Sequence, residues 1–275
     1  MASGSRGRIL FRSGTLTAFS SEIQGIEVYA RDAVVRRSGD PPHTDPPLRG
    51  KITEFSKASR RRLAFVAQNT DVHFRNMITL TYPKEFPSDG LTVKYHLHQF
   101  LTWLRKDTGG CSYLWFLEFQ ARGAPHIHIL YDTPYPKRNR QAYTDLRLRV
   151  SMAWYRIVGS KDEKHLSAGT RVERLRKPDG AARYATKYAW KMKQKAVPPA
   201  YQNVGRLWAA SRDVKPRPLG FVRATEDDIR GALEGWQYAP NSNTPIYRVL
   251  YNQANRFRDH LDPADPGDDT RDVTT

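Results

Sequence analysis

The stretch from Tyr113 to Tyr131 constrains this chain more than any other. Two runs of strand-forming residues, Tyr113 to Phe119 and His126 to Tyr131, flank a short segment whose Gly123-Ala-Pro125 reads as a turn. Strands joined by so short a loop must lie antiparallel, because a parallel pair needs a crossover of a dozen or more residues. Met77 to Tyr82 alternates at period two and stops at Pro83, which predicts another half-buried strand. Thr170 to Leu175 reads the same way, and Gly25 to Ala30 and Tyr247 to Tyr251 carry weaker strand signals. Helical periodicity appears over Ser56 to Gln68, Leu91 to Lys106, Arg140 to Val158 and Ala181 to Lys195. In the second of these, Val93, Leu97, Phe100, Leu101 and Leu104 form one apolar stripe. The pattern predicts an α+β fold, a central antiparallel sheet with helices packed on it. A doubly wound parallel sheet would need more strand-helix-strand units and a glycine-rich first loop, and that loop is absent.

Length and charge bound the rest. The 275 residues are long for one domain and short for two. They predict a principal domain over 51–215, with a partly irregular N-terminal extension over 1–50 and a C-terminal extension over 216–258. The acidic, Pro- and Gly-bearing segment 259–275 reads as a disordered tail. Forty-five Lys plus Arg against twenty-eight Asp plus Glu give a net charge of +17. Such an excess points to a polyanionic partner, most often nucleic acid. No apolar run approaches the roughly 18 residues of a membrane span, and the N-terminus lacks the apolar core of a secretory signal. The single cysteine, Cys111, cannot close an internal disulfide and reads as a small apolar filler in a reducing, cytoplasmic setting.

His126 and His128 are two apart on a predicted strand, so their side chains project from one face while Ile127 and Ile129 face the other way. Two neutral imidazoles so placed suit a divalent cation. Glu118, on the preceding strand of the hairpin, can reach across as an oxygen ligand, and Gln120 shares its face as the alternative third ligand. Two nitrogens and one carboxylate leave open positions, a set suited to Mg²⁺ or Mn²⁺ acting as a Lewis acid on phosphorus. His96 and His98 have the same spacing inside a helical pattern, where residues two apart diverge by about 200°. That pair should not chelate.

Tyr184-Ala-Thr-Lys-Tyr-Ala-Trp-Lys191 is the second chemical stretch. On a helix Tyr184 and Tyr188 stack on one face, and so do Lys187 and Lys191. Ala182, Ala185, Ala189 and Met192 form the expected buried stripe. A phenol is a poor nucleophile near its usual pKa of about 10 until a cation assists it, and a neighbouring ammonium supplies that charge.

Together these residues resemble the His-hydrophobic-His (HUH) endonucleases, and within them the two-tyrosine rolling-circle replication initiators (Rep proteins) of phages and plasmids. Met77-Ile-Thr-Leu-Thr-Tyr-Pro83 resembles the family's first motif, Glu118 through His128 its metal-binding motif, and Tyr184 through Lys191 its tyrosine motif. Gly205-Arg-Leu-Trp208 and Ser56-Lys-Ala-Ser-Arg60 resemble flanking segments, so the likeness covers roughly residues 55–212. It implies a ferredoxin/RRM-like sheet of about five strands. It also implies a metal-dependent nick in single-stranded origin DNA, with a tyrosine joined to the 5′ end and a 3′-OH freed for synthesis. By that resemblance Tyr188 and Tyr184 are the nucleophiles, Tyr188 favoured for the first nick, and Lys187 and Lys191 support the phosphotyrosine. His126, His128 and Glu118 or Gln120 hold Mg²⁺ or Mn²⁺, and Arg60, Arg61, Arg62, Arg122 and Arg183 are candidate DNA contacts. Partners would be origin DNA, a host polymerase and, since no Gly-x-x-x-x-Gly-Lys-Ser/Thr loop is present, a helicase of a prokaryotic host. Competing readings are a transposase or relaxase with the same metal motif, and a non-enzymatic DNA-binding regulator. Relaxases usually place the tyrosine before the histidines, and the larger two-tyrosine transposases carry a cysteine-rich zinc module that one cysteine cannot build.

Overall fold

The computed structural model describes residues 23–37, 50–134, 139–175, 180, 184, 185, 187, 196–234 and 247–261. The chain divides into two units, Met1–Leu48 with Pro216–Thr275, and Arg49–Lys215. In the first, β1 (Ile23–Val28) and β2 (Ala33–Arg37) pair as a hairpin. They are flanked by β8 (Gly220–Val222) and β9 (Tyr247–Leu250), giving an antiparallel sheet in the order β8-β1-β2-β9. Ile26, Val28, Ala33 and Val35 share one face and are buried with Ile229 and Leu233, on and just beyond the short helix Glu226–Ala232, and with Phe257. The predicted extensions over 1–50 and 216–258 therefore complete one sheet between them. Each alone supplies only a hairpin or two separate short strands, and such pieces are marginal in water. The predicted acidic tail lies outside the described residues beyond Leu261.

The second unit carries the five-stranded antiparallel sheet that the hairpin implied. Its strands are β3 (Asn76–Thr81), β4 (Tyr113–Phe119), β5 (Pro125–Tyr131), β6 (Thr170–Arg174) and β7 (Trp208–Ala210), in the order β6-β3-β5-β4-β7. The β4–β5 turn closes through Gly123 at φ 80°, a left-handed conformation suited to glycine, and Gln120 N–H donates to Ala124 O at 2.9 Å. The interior strands read as near-continuous apolar runs because both faces of this sheet are covered. Helix α2 (Gly90–Asp107) lies on the face of Trp115, since Lys94 Nζ sits 3.9 Å from the centre of that ring. Helix α3 (Arg140–Val158) joins α2 there, with Trp154 and Val150 fully buried and the Tyr143 hydroxyl on Val172 O. Helix α1 (Lys57–Asn69) is tied to the other face, where the Trp208 indole donates to Ser59 Oγ at 3.0 Å.

Local chemistry sets the helix starts. Ser56 caps α1, Asp89 accepts from Leu91 and Thr92 N–H at the start of α2, and Asn139 caps α3. Gly159, at φ 65°, ends α3. The predicted stripe of α2 is buried as expected, at Val93, Leu97, Phe100, Leu101 and Leu104. Two elements carried no readable signal: helix α4 (Glu163–Ala168) and the three-residue β7. Of the predicted helix over Ala181 to Lys195, Tyr184, Ala185 and Lys187 are described and helical, and Ala185 is fully buried.

Candidate active site

Strand register builds the site. Pairing puts Glu118, His126 and Thr81 side by side across β4, β5 and β3, on one face of the sheet. The next row on that face is Trp208, Phe116, His128, Thr79 and Arg171, from β7 to β6. The third is Ala210, Leu114, Leu130, Met77 and Glu173. Polar and charged groups thus collect toward one end of a face that is otherwise apolar.

Each histidine is held by a threonine opposite it. Thr79 Oγ1 is 3.2 Å from His128 Nδ1, and Thr81 Oγ1 is 3.1 Å from His126 Nδ1. Hydroxyls on both Nδ1 atoms leave Nε2 as the ring nitrogen directed toward a ligand. Phe116 stacks on His128 with ring centres 4.8 Å apart, fixing the plane of that imidazole. The two imidazoles meet edge to face, with centres 4.7 Å apart. His128 and Glu118 are buried, and His128 Nε2 lies 3.6 Å from Glu118 Oε2. Two atoms bound to one cation at about 2.1 Å each are separated by roughly 3.0–3.5 Å, so this spacing is close to that of ligands. Among the described residues, however, no three His, Cys, Asp or Glu side chains converge as a closed metal group. The donor types fit a divalent cation, while the side chains as they stand are neighbours. Gln120 is otherwise engaged: its Oε1 accepts from Arg122 Nε at 3.0 Å, and its amide nitrogen faces His126 Nδ1 at 3.5 Å.

Behind Thr81 lies a support that sequence reading missed. Its carbonyl accepts from Trp154 Nε1 and from His165 Nε2, both at 2.9 Å, and its N–H donates to Gly169 O. His165 is buried, burial lowers its pKa, and its Nδ1 has no hydrogen-bond partner among the described residues. A neutral imidazole with its proton on Nε2 accounts for all three. Only the pairing of threonines and histidines at the same i, i+2 spacing on strands that prove adjacent could have pointed to this arrangement.

The tyrosine segment enters through Tyr184, which is half-buried and packs against the main core. Burial raises its pKa, Glu173 raises it further and Arg171 lowers it. Both charged residues stand on the histidine face, so Tyr184 lies within electrostatic reach of that face. Lys187 is exposed, and Tyr188, Lys191 and Arg183 lie outside the described residues.

The predicted DNA contacts divide. Arg61 and Arg62 are exposed on α1, but Arg60 is buried and its Nε donates to Phe55 O at 2.8 Å. Arg122 is exposed, yet its guanidinium is spent within the fold: NH2 donates to Tyr82 O and NH1 to Pro83 O, both at 2.7 Å. These two arginines hold loops together, which departs from the role read for them in the sequence. His96 hydrogen-bonds the Tyr82 hydroxyl at 3.2 Å and His98 is exposed, so the helical pair diverges as its spacing required. Cys111 packs half-buried against the core.

Residues 75–193 match the replication-associated protein ORF2 family. The matched stretch runs from β3 through the tyrosine segment and contains both threonines, Glu118, both histidines and both tyrosines. It supports a replication-associated protein of rolling-circle Rep type, with DNA as its partner. No curated protein and no solved structure matches the chain. Among the described residues, no helix is long and apolar enough to cross a membrane.

Proposed function

We propose that this protein is a replication initiator endonuclease that nicks single-stranded origin DNA and joins itself to the 5′ end through Tyr188 or Tyr184. One observation carries the reading: Glu118, His126 and His128 share a sheet face with Arg171 and Glu173, the two charges that act on Tyr184. In the reaction a phenolate oxygen attacks phosphorus, the P–O3′ bond breaks and a 5′-phosphotyrosine forms. The phenolic proton is lost, and the departing 3′ oxygen takes up a proton as the 3′-OH that a host polymerase extends. His126, His128 and Glu118 would hold Mg²⁺ or Mn²⁺, which when bound polarises the scissile phosphate. Thr79 and Thr81 orient the imidazoles, and Lys187 and Lys191 balance the charge of the phosphotyrosine. With two tyrosines, one can keep the first end while the other cuts the regenerated origin, so that rejoining releases a circle.

The test is Mn²⁺-dependent cleavage of single-stranded DNA by wild type and His126→Ala. Loss of cleavage in the variant, with DNA binding kept, is the expected result. Equal cleavage by both proteins would remove the histidines from the chemistry, and DNA binding without cleavage by wild type would favour a regulator.

A further inference from the structure

Arg171 occupies the cross-sheet row of Thr79 and His128. It stands two strands from His128, about 10 Å at the usual spacing, a gap that a guanidinium and a phosphate group span together. Its side chain is 73% exposed, and its NH2 lies 2.7 Å from Glu173 Oε1. Glu173 is two residues on along β6 and so on the same face. An ion pair this exposed is weak, and an entering anion can take the guanidinium from the carboxylate. Tyr184 senses both charges, which puts the pair beside a candidate nucleophile.

We propose that Arg171 binds the scissile phosphodiester, exchanging Glu173 for a non-bridging phosphate oxygen. This rests on the reading of the face as a nicking centre. Arginine suits the task because its planar fork is permanently charged and can grip two phosphate oxygens at once. Glu173 serves as the resting partner that keeps the guanidinium laid along β6 until DNA arrives.

A single-stranded oligonucleotide is first selected from a randomised pool by covalent capture on the wild-type protein with Mn²⁺. Adduct formation is then timed for wild type, Arg171→Ala, Arg171→Lys and Glu173→Gln. Affinity is measured in EDTA for the same oligonucleotide carrying either a phosphodiester or an uncharged methylphosphonate at the scissile position. Arg171→Ala should slow adduct formation about 10- to 100-fold and Arg171→Lys by less, while Glu173→Gln should keep the wild-type rate. In EDTA, Arg171→Ala should weaken binding of the phosphodiester but leave the methylphosphonate unchanged. Three results would overturn the inference alone: a wild-type rate in Arg171→Ala, an equal affinity loss on both linkages, or a loss in Glu173→Gln matching that in Arg171→Ala. Failure of wild type to capture any oligonucleotide would overturn the nicking centre itself, and this inference with it.

Discussion

Replacing Thr79 and Thr81 by valine tests whether this strand holds the histidines in position for a metal. Valine keeps the shape of threonine and removes one hydroxyl, so each change deletes a single hydrogen bond, 3.2 Å long to His128 and 3.1 Å long to His126. Each loss should cost about 0.5–1.5 kcal/mol of stability. The pair together then stays well inside the roughly 5–15 kcal/mol that keeps an ordinary domain folded. The larger effect should fall on the cation, because removing the outer partner of a ligating histidine typically costs about 10- to 100-fold in metal affinity. Titration calorimetry with Mn²⁺ reads this without any DNA. Thr144→Val is the control: its hydroxyl is exposed on α3 and bonds only Arg140 O within its own helix. Nitrogen NMR of the imidazoles adds a second readout, with Nδ1 of His126 and His128 losing its hydroxyl partner in the double variant. A folded double variant that binds Mn²⁺ as tightly as Thr144→Val would refute the reasoning.

Arg122→Ala should lower stability by about 1–2 kcal/mol through the lost carbonyl contacts, read by urea unfolding, and should change DNA affinity less than Arg61→Ala plus Arg62→Ala does. The opposite order would return Arg122 to the DNA surface. DNA affinity of the whole protein should fall steeply with salt, since a chain of net charge +17 releases counterions when it binds phosphates; a flat salt plot would count against broad phosphate contact. His165 gives a pH signature. Its folded pKa lies below that of the unfolded chain, so its contribution is fully present above the ordinary histidine value of about 6.5 and is lost as pH falls through the folded value. Unfolding free energy should therefore fall with acidification below about pH 6.5, and His165→Gln should flatten that slope. An unchanged slope in His165→Gln would remove His165 as the cause.

The hairpin and the helix periodicities were legible because they depend on local rules: period two, period 3.6 and turn residues at fixed offsets. Residues 113–119 and 140–158 form a strand and a helix at the limits their patterns predicted. The opposition of Glu118 and His126 was readable too, since a short hairpin loop fixes register. Other features depend on partners distant in sequence. Strand β7 is three residues long and exists because Trp208 and Ala210 pair with Phe116 and Leu114. The sheet shared by residues 23–37, 220–222 and 247–250 is closed by pairings that no local pattern announces. Arg60 and Arg122 looked like surface charge because charge is all a sequence displays. The carbonyls that occupy them become visible only when the loops are folded.

The central claim is a covalent bond between DNA and one of two tyrosines. The most direct measurement is to incubate wild type and Tyr184→Phe plus Tyr188→Phe with single-stranded DNA and Mn²⁺, digest the protein and locate the nucleotide-bearing peptide by mass spectrometry. A nucleotide 5′-linked to Tyr184 or Tyr188 in wild type, and no adduct in the double variant, is the predicted result. An adduct that persists undiminished in the double variant, or maps to another residue, would contradict the account.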